Sequence, residues 1–127
     1  MKMKLVGIFA LGAMALSAHH SFDAEYDRTK SRDFEGTVTK VEWMNPHARF
    51  YMDVKGPDGK VANWEFELGS PNGLLRSGWK RDSLKIGDTV KCQGNLAKDG
   101  SNLANARNLT FADGTKVGAA SSGDTGK

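Results

Sequence analysis

Phe34-Glu-Gly-Thr-Val-Thr-Lys-Val-Glu-Trp43 alternates in two phases. Phe34, Gly36 and Val38 share one parity, and Val41 and Trp43 share the other, so a strand of period two changes face near Thr39 and Lys40. A β-bulge makes that change and bends the strand, as closing a sheet into a barrel requires. Downstream, Asn45-Pro46 interrupts pairing. Ala48, Phe50, Met52 and Val54 then alternate with Arg49, Tyr51 and Asp53 as a second strand. Gly56-Pro-Asp-Gly59 carries turn chemistry. Ala62, Trp64, Phe66 and Leu68 form a third strand whose opposite face presents Asn63, Glu65 and Glu67, completing a meander.

Ser70-Pro71 reads as an N-cap followed by proline at the first helical position. Leu74 and Leu75 give a short helix its apolar side, and Gly78 stops it. Trp79 is placed to plug one end of the core. A turn at Lys85-Ile-Gly-Asp88 leads to a fourth strand, Thr89 to Gly94, and one at Lys98-Asp-Gly-Ser101 leads to a fifth, Ala104 to Phe111. Three strands, a short helix and two strands, with a bend in the first, predict an all-β fold with minor α content: a five-stranded OB-like barrel over residues 34–117, its one helix between strands 3 and 4. A five-stranded barrel of another topology is the competing expectation. Residues 118–127 are small and polar and are expected to be a disordered tail.

At the other end, Met1-Lys-Met-Lys4 and the apolar run Leu5 to Leu16 have the form of a secretory signal, too short for a spanning helix. Cleavage after Ala18 is expected, with cleavage after Ser17 as the alternative. The product is then periplasmic or secreted. Residues 19–33 read as an N-terminal arm laid on the domain through Phe22 and Tyr26. With about 110 residues remaining, there is room for one domain. Removing Lys2 and Lys4 leaves 16 basic against 15 acidic side chains, so the net charge falls from +3 to +1. That balance argues against nucleic acid as a partner and against a polybasic membrane anchor. The lone Cys92 excludes an internal disulfide and falls on an apolar strand parity, as a buried thiol would.

Ala18-His-His-Ser-Phe22, Tyr26-Asp27, the Gly36 to Trp43 strand, Asn45-Pro-His47, Trp64-Glu65, Gly78-Trp79 and Leu84-Lys-Ile-Gly-Asp88 together resemble a family of small exported bacterial proteins catalogued as a domain of unknown function. The resemblance extends over nearly all of the chain after the signal. It implies an exported β-barrel domain and no established reaction.

All three histidines lie in two of those motifs: His19 and His20 at the processing point, and His47 between the first two strands. Neutral imidazole ligates copper, nickel and zinc, and a freed terminal amine adds another nitrogen. Cleavage after Ala18 makes His19 residue one; its amine and Nδ1 chelate a metal that His20 or His47 completes, a set that favours copper. Cleavage after Ser17 gives Ala-His-His, in which His20 joins the amine and two deprotonated amides around Cu(II) or Ni(II), and His47 has no required role. The plainer reading is that the paired histidines are an inconsequential polar terminus and that His47 bonds a backbone carbonyl after Pro46.

Around this candidate metal site, Glu42, Glu65 and Glu67 are candidates to orient ligands from behind, although the solvated face of a strand is the commoner account of such carboxylates. Met44 is a candidate Cu(I) donor and Trp43 a surface platform for a flat ligand, with core packing as the alternative for the tryptophan. The chain therefore reads as an exported copper-binding carrier or buffer, its partners a metal ion and another periplasmic protein. The runner-up is a metal-independent recognition module for a glycan, peptide or protein. No Ser-His-Asp order, CxxC, HExxH or glycine-rich phosphate loop points to an enzyme, and a copper oxygenase built on His19 is the only catalytic variant the residues suggest.

Overall fold

A computed structural model of the protein describes residues 21–121. Six strands form one sheet: β1 (Tyr26–Glu42), β2 (Arg49–Lys55), β3 (Val61–Glu67), β4 (Thr89–Ala97), β5 (Leu103–Thr110) and β6 (Lys116–Gly118). Their order is β3-β2-β1-β4-β5-β6, and β3 pairs also with β5, in parallel, so the first five strands close into a ring. The remaining neighbours are antiparallel.

The phase change in the first strand is a bulge. Val38 pairs with Met52 and Lys40 with Tyr51, leaving Thr39 as the extra residue. On the near side of that bend the strands approach closely: a Cβ on Gly36 would stand 2.2 Å from the Asp53 carbonyl oxygen, so only glycine fits there. Inside the ring, Phe50 and Phe66 stack with centroids 4.8 Å apart and Phe34 meets Phe66 edge-on at 5.0 Å, geometries that the ring quadrupoles favour. Val38, Met52, Trp64, Cys92 and Leu109 complete this core. The helix Pro71–Arg76 starts as its sequence predicts, with Ser70 Oγ accepting from the Gly73 amide at 3.1 Å. Trp79 is buried and donates its indole N–H to the Gly118 carbonyl at 2.8 Å.

Both ends of the domain differ from the sequence reading. β1 begins at Tyr26, so residues 26–33, expected in the arm, belong to the sheet: Ser31, Arg32 and Asp33 pair with Asn95, Gly94 and Gln93. Between Tyr26 and Ser31 the register shifts, because residues 27–30 bow out opposite Leu96. What precedes β1 is helical over residues 21–25, with Phe22 and Tyr26 buried and their rings 5.2 Å apart. At the other end a sixth strand ends at Gly118, where the tail was expected to begin, and the chain stays anchored beyond it. Ala119 is buried, its amide donating to the Arg107 carbonyl and its carbonyl accepting from Gly69, and Ser121 Oγ donates to Asn105 Oδ1 at 2.6 Å. The expected signal segment, His19, His20 and residues 122–127 lie outside the described residues. No helix among the described residues is long and apolar enough to cross a membrane.

Candidate functional site

Strand alternation puts every second residue of β1, β2 and β3 on the outside of the ring, and the register aligns those residues in polar rows. Glu42 faces Arg49, which faces Glu67, which in turn faces Asn105 on β5. One row further, Lys40 faces Tyr51 and Tyr51 faces Glu65; beyond that, Asp53 faces Asn63. Side chains join the rows. Arg49 Nη1 donates to Glu65 Oε1 at 3.0 Å and Nη2 to Glu67 Oε2 at 3.5 Å, while the Tyr51 hydroxyl donates to Glu65 Oε1 at 2.8 Å. Lys40 Nζ reaches Glu42 at 3.2 Å.

Burial rises along β3 toward its C-terminal end. Asn63 is exposed, the Glu65 side chain retains 29% of its exposure, and that of Glu67 only 8%. The cover is the N-terminal segment: the buried Tyr26 hydroxyl donates to Glu67 Oε2 at 3.1 Å. Burial and the neighbouring Glu67 charge push the Tyr26 phenol far above its ordinary range, so it stays a donor. Tyr51 is raised by burial, by its bond to Glu65 and by the neighbouring Glu42 carboxylate. Glu25, next in the chain, is raised from 4.5 by burial and by Glu67. Burial works against the Arg49 charge, but Glu65 and Glu67 outweigh it and raise its pKa.

His47 stands at the buried end of this surface. Backbone bonds from the Ala48 amide to Gly69 and from the Leu68 amide to Ala48 carry the β2–β3 ladder one step past the strands and fix the loop beside Leu68. The His47 ring places Nδ1 3.2 Å from the Leu68 carbonyl oxygen and 3.9 Å from Glu67 Oε1. A carbonyl only accepts, so Nδ1 is the donor in this bond, and in the neutral ring the lone pair is on Nε2.

Of the residues singled out in the sequence, Glu42 and Glu65 meet at Tyr51, and Glu65 connects through Arg49 and Glu67 to His47. Trp43 packs partly buried against the core, and Met44 is 47% exposed. His19 and His20 lie outside the described residues, and among the described residues no three His, Cys, Asp or Glu side chains form a metal-holding group. Cys92 is buried, and burial pushes its thiol far above the ordinary range, so it remains protonated. Alternation alone missed the centre of the network: Glu67 reads as one more solvated carboxylate. The available signal was Arg49 and Tyr26, a cation and a phenol placed to reach it.

A small domain built mainly of β-strands, with a polar network on its outer face ending in one histidine, is the class these features define. The chain belongs to the family of unknown function DUF6152, whose model matches residues 8–106. No curated protein matches it. Among solved structures it is similar to the mitochondrial single-stranded DNA-binding protein Rim1 of S. cerevisiae, at 9% identity and a TM-score of 0.49, over 65% of this chain and 93% of that one. It is also similar to the ZRD-deleted mutant of TiaS in complex with agmatine, at 18% identity and a TM-score of 0.46, over 67% of this chain and 22% of that one.

Proposed function

We propose that the protein is an exported periplasmic copper carrier or buffer whose metal is held by His19 and His20 at the processed terminus together with His47. The supporting observation is the orientation of the His47 ring, Nδ1 toward Leu68 O and Glu67 and Nε2 left with its lone pair, the arrangement in which imidazoles ligate metals. A short tether strengthens the reading. Phe22 is anchored beside Tyr26, which bonds the same Glu67, and two Cα steps of about 3.8 Å each separate His20 from Phe22. A set of imidazoles and one amine favours copper, with nickel and zinc next among the metals such nitrogens take. The domain behind the site is read as an OB-like barrel, supported by the ring order β1-β2-β3-β5-β4, the helix between β3 and β4 and the bulge in β1. The recipient of the metal would be another periplasmic protein.

Calorimetry on the processed protein tests this. Cu(II) is expected to bind with a stoichiometry of one and at least tenfold more tightly than to the variant carrying His19→Ala, His20→Ala and His47→Ala; equal affinities refute the proposal. Mass spectrometry of the exported chain is expected to find His19 first. A chain beginning at Ala18 would move the site to the terminal tripeptide and release His47.

A second reading has one observation in its favour. A groove of about 560 Å³ on the β1, β4 and β5 side is lined by Asp33, Glu35, Lys91, Gln93 and Asn108, polar groups suited to a glycan or peptide. Saturable glycan or peptide binding that survives removal of residues 19–20 would favour that recognition module over the metal carrier.

A further inference from the structure

We infer that Glu67 is a positioning residue that couples docking of the N-terminal segment to the orientation of His47. The geometry stands by itself; its consequence for metal binding rests on the copper reading above. Among the described residues Glu67 is the one buried acid, at 6% exposure. A carboxylate taken out of water is unfavourable unless its partners offset the lost hydration, so its partners are where its role is legible.

Its two oxygens face different parts of the chain. Oε2 accepts from the Tyr26 hydroxyl at 3.1 Å, which holds down the segment following His20, and from Arg49 Nη2 at 3.5 Å, which fixes the carboxylate's rotation from β2. With Oε2 so occupied, Oε1 is directed toward His47 Nδ1, 3.9 Å away. In the neutral ring, that oxygen reinforces the Leu68 carbonyl in keeping the proton on Nδ1, so Nε2 is the nitrogen that carries the lone pair. Opening the first residue of β1, where Tyr26 pairs with Ala97, together with the segment before it removes the Tyr26 donor, frees the carboxylate to turn and loosens that choice of tautomer. Docking of the segment and readiness of the imidazole are thus linked through one side chain.

The rest of the cover fits a latch rather than a second core. Phe22 and Tyr26 pack on each other outside the main apolar cluster. Through Glu67, Tyr26 meets a layer of buried polar residues in which Glu67 pairs with Asn105, Asn105 with Asn95, and Ser121 Oγ bonds Asn105. Asn95 Oδ1 and Asn105 Nδ2 in that layer have no hydrogen-bond partner, which lowers the cost of opening it.

The test compares Glu67→Gln and Tyr26→Phe with the processed wild-type protein, metal-free and with Cu(II). Without metal, both variants should raise amide hydrogen exchange of residues 22–26 at least tenfold, and 15N imidazole shifts should show His47 moving from the Nδ1–H tautomer toward a mixture. With Cu(II), Glu67→Gln should lose about 10- to 100-fold in affinity, and Tyr26→Phe less. Loss of thermal stability with exchange and tautomer unchanged means that Glu67 is merely structural and overturns the inference. If Glu67→Gln does not fold, Tyr26→Phe alone decides by the same two metal-free readouts. Shifts in both readouts, with Cu(II) bound no more tightly to wild type than to the triple-histidine variant, leave the positioning role standing and remove the copper reading.

Discussion

The two faces of the strand ring are built by different physics. Inside, Phe34, Phe50, Met52, Trp64, Phe66 and Leu109 are held by volume and apolar burial, which tolerate no gap but demand no particular partner atom. Outside, over the end of β3, Tyr26, Arg49 and His47 surround Glu67, and each depends on a specific atom of another. The inner face is therefore a property of the whole domain, whereas the outer one opens with the short segment that covers it. Stability belongs to the first and candidate chemistry to the second.

The contrast breaks most visibly at Phe66, which is fully buried between Phe34 and Phe50. Phe66→Ala should cost about 3–5 kcal/mol, lower the urea midpoint and raise exchange throughout the domain; a loss confined to the outer face would mean that the two faces are not independent. A smaller effect is expected at Tyr51, whose hydroxyl bonds Glu65 at 2.8 Å on the half-exposed part of the polar surface. Tyr51→Phe should cost about 0.5–1.5 kcal/mol in the same denaturation experiment, with the aromatic core's near-ultraviolet spectrum unchanged.

The mildest probe is optical, because Tyr26 and Tyr51 are the only tyrosines in the chain. Both are raised above the ordinary value of 10.0, so the folded state holds protons that the unfolded state releases. Their contribution to stability is complete below pH 10 and declines as pH rises beyond it. Phenolate absorbance should therefore be absent at pH 10 in the native protein and appear only together with unfolding. A tyrosine ionising near pH 10 in the folded state would show that the outer network is open.

Legibility in the sequence divides along the same line. The parity change at Thr39, the inward residues of β2 and β3, the Ser70 cap and the burial of Trp79 and Cys92 are all local or periodic signals, and each was readable. Residues 27–33 were not, because Asp27, Arg28, Lys30 and Asp33 carry no alternation; their strand is defined by backbone pairing and bowing against β4. β6 was missed for a related reason. Val117 is its one large apolar residue, and the chain beyond is anchored by backbone bonds at Ala119 and by the Ser121 hydroxyl. Glu42, Glu65 and Glu67 were identified together as a frame for a ligand, but the greater weight of Glu67 follows from Tyr26, the first residue of β1, reaching over the end of β3, a contact between residues 41 positions apart that no spacing rule encodes.

Electron paramagnetic resonance of the processed protein with one equivalent of Cu(II) bears most directly on whether the two histidine motifs share a metal. With imidazoles labelled with 15N, wild type should show the coupling of His47 in addition to those of the terminal histidines, and His47→Ala should lose one imidazole nitrogen from the pattern. Superimposable spectra from wild type and His47→Ala would contradict the account.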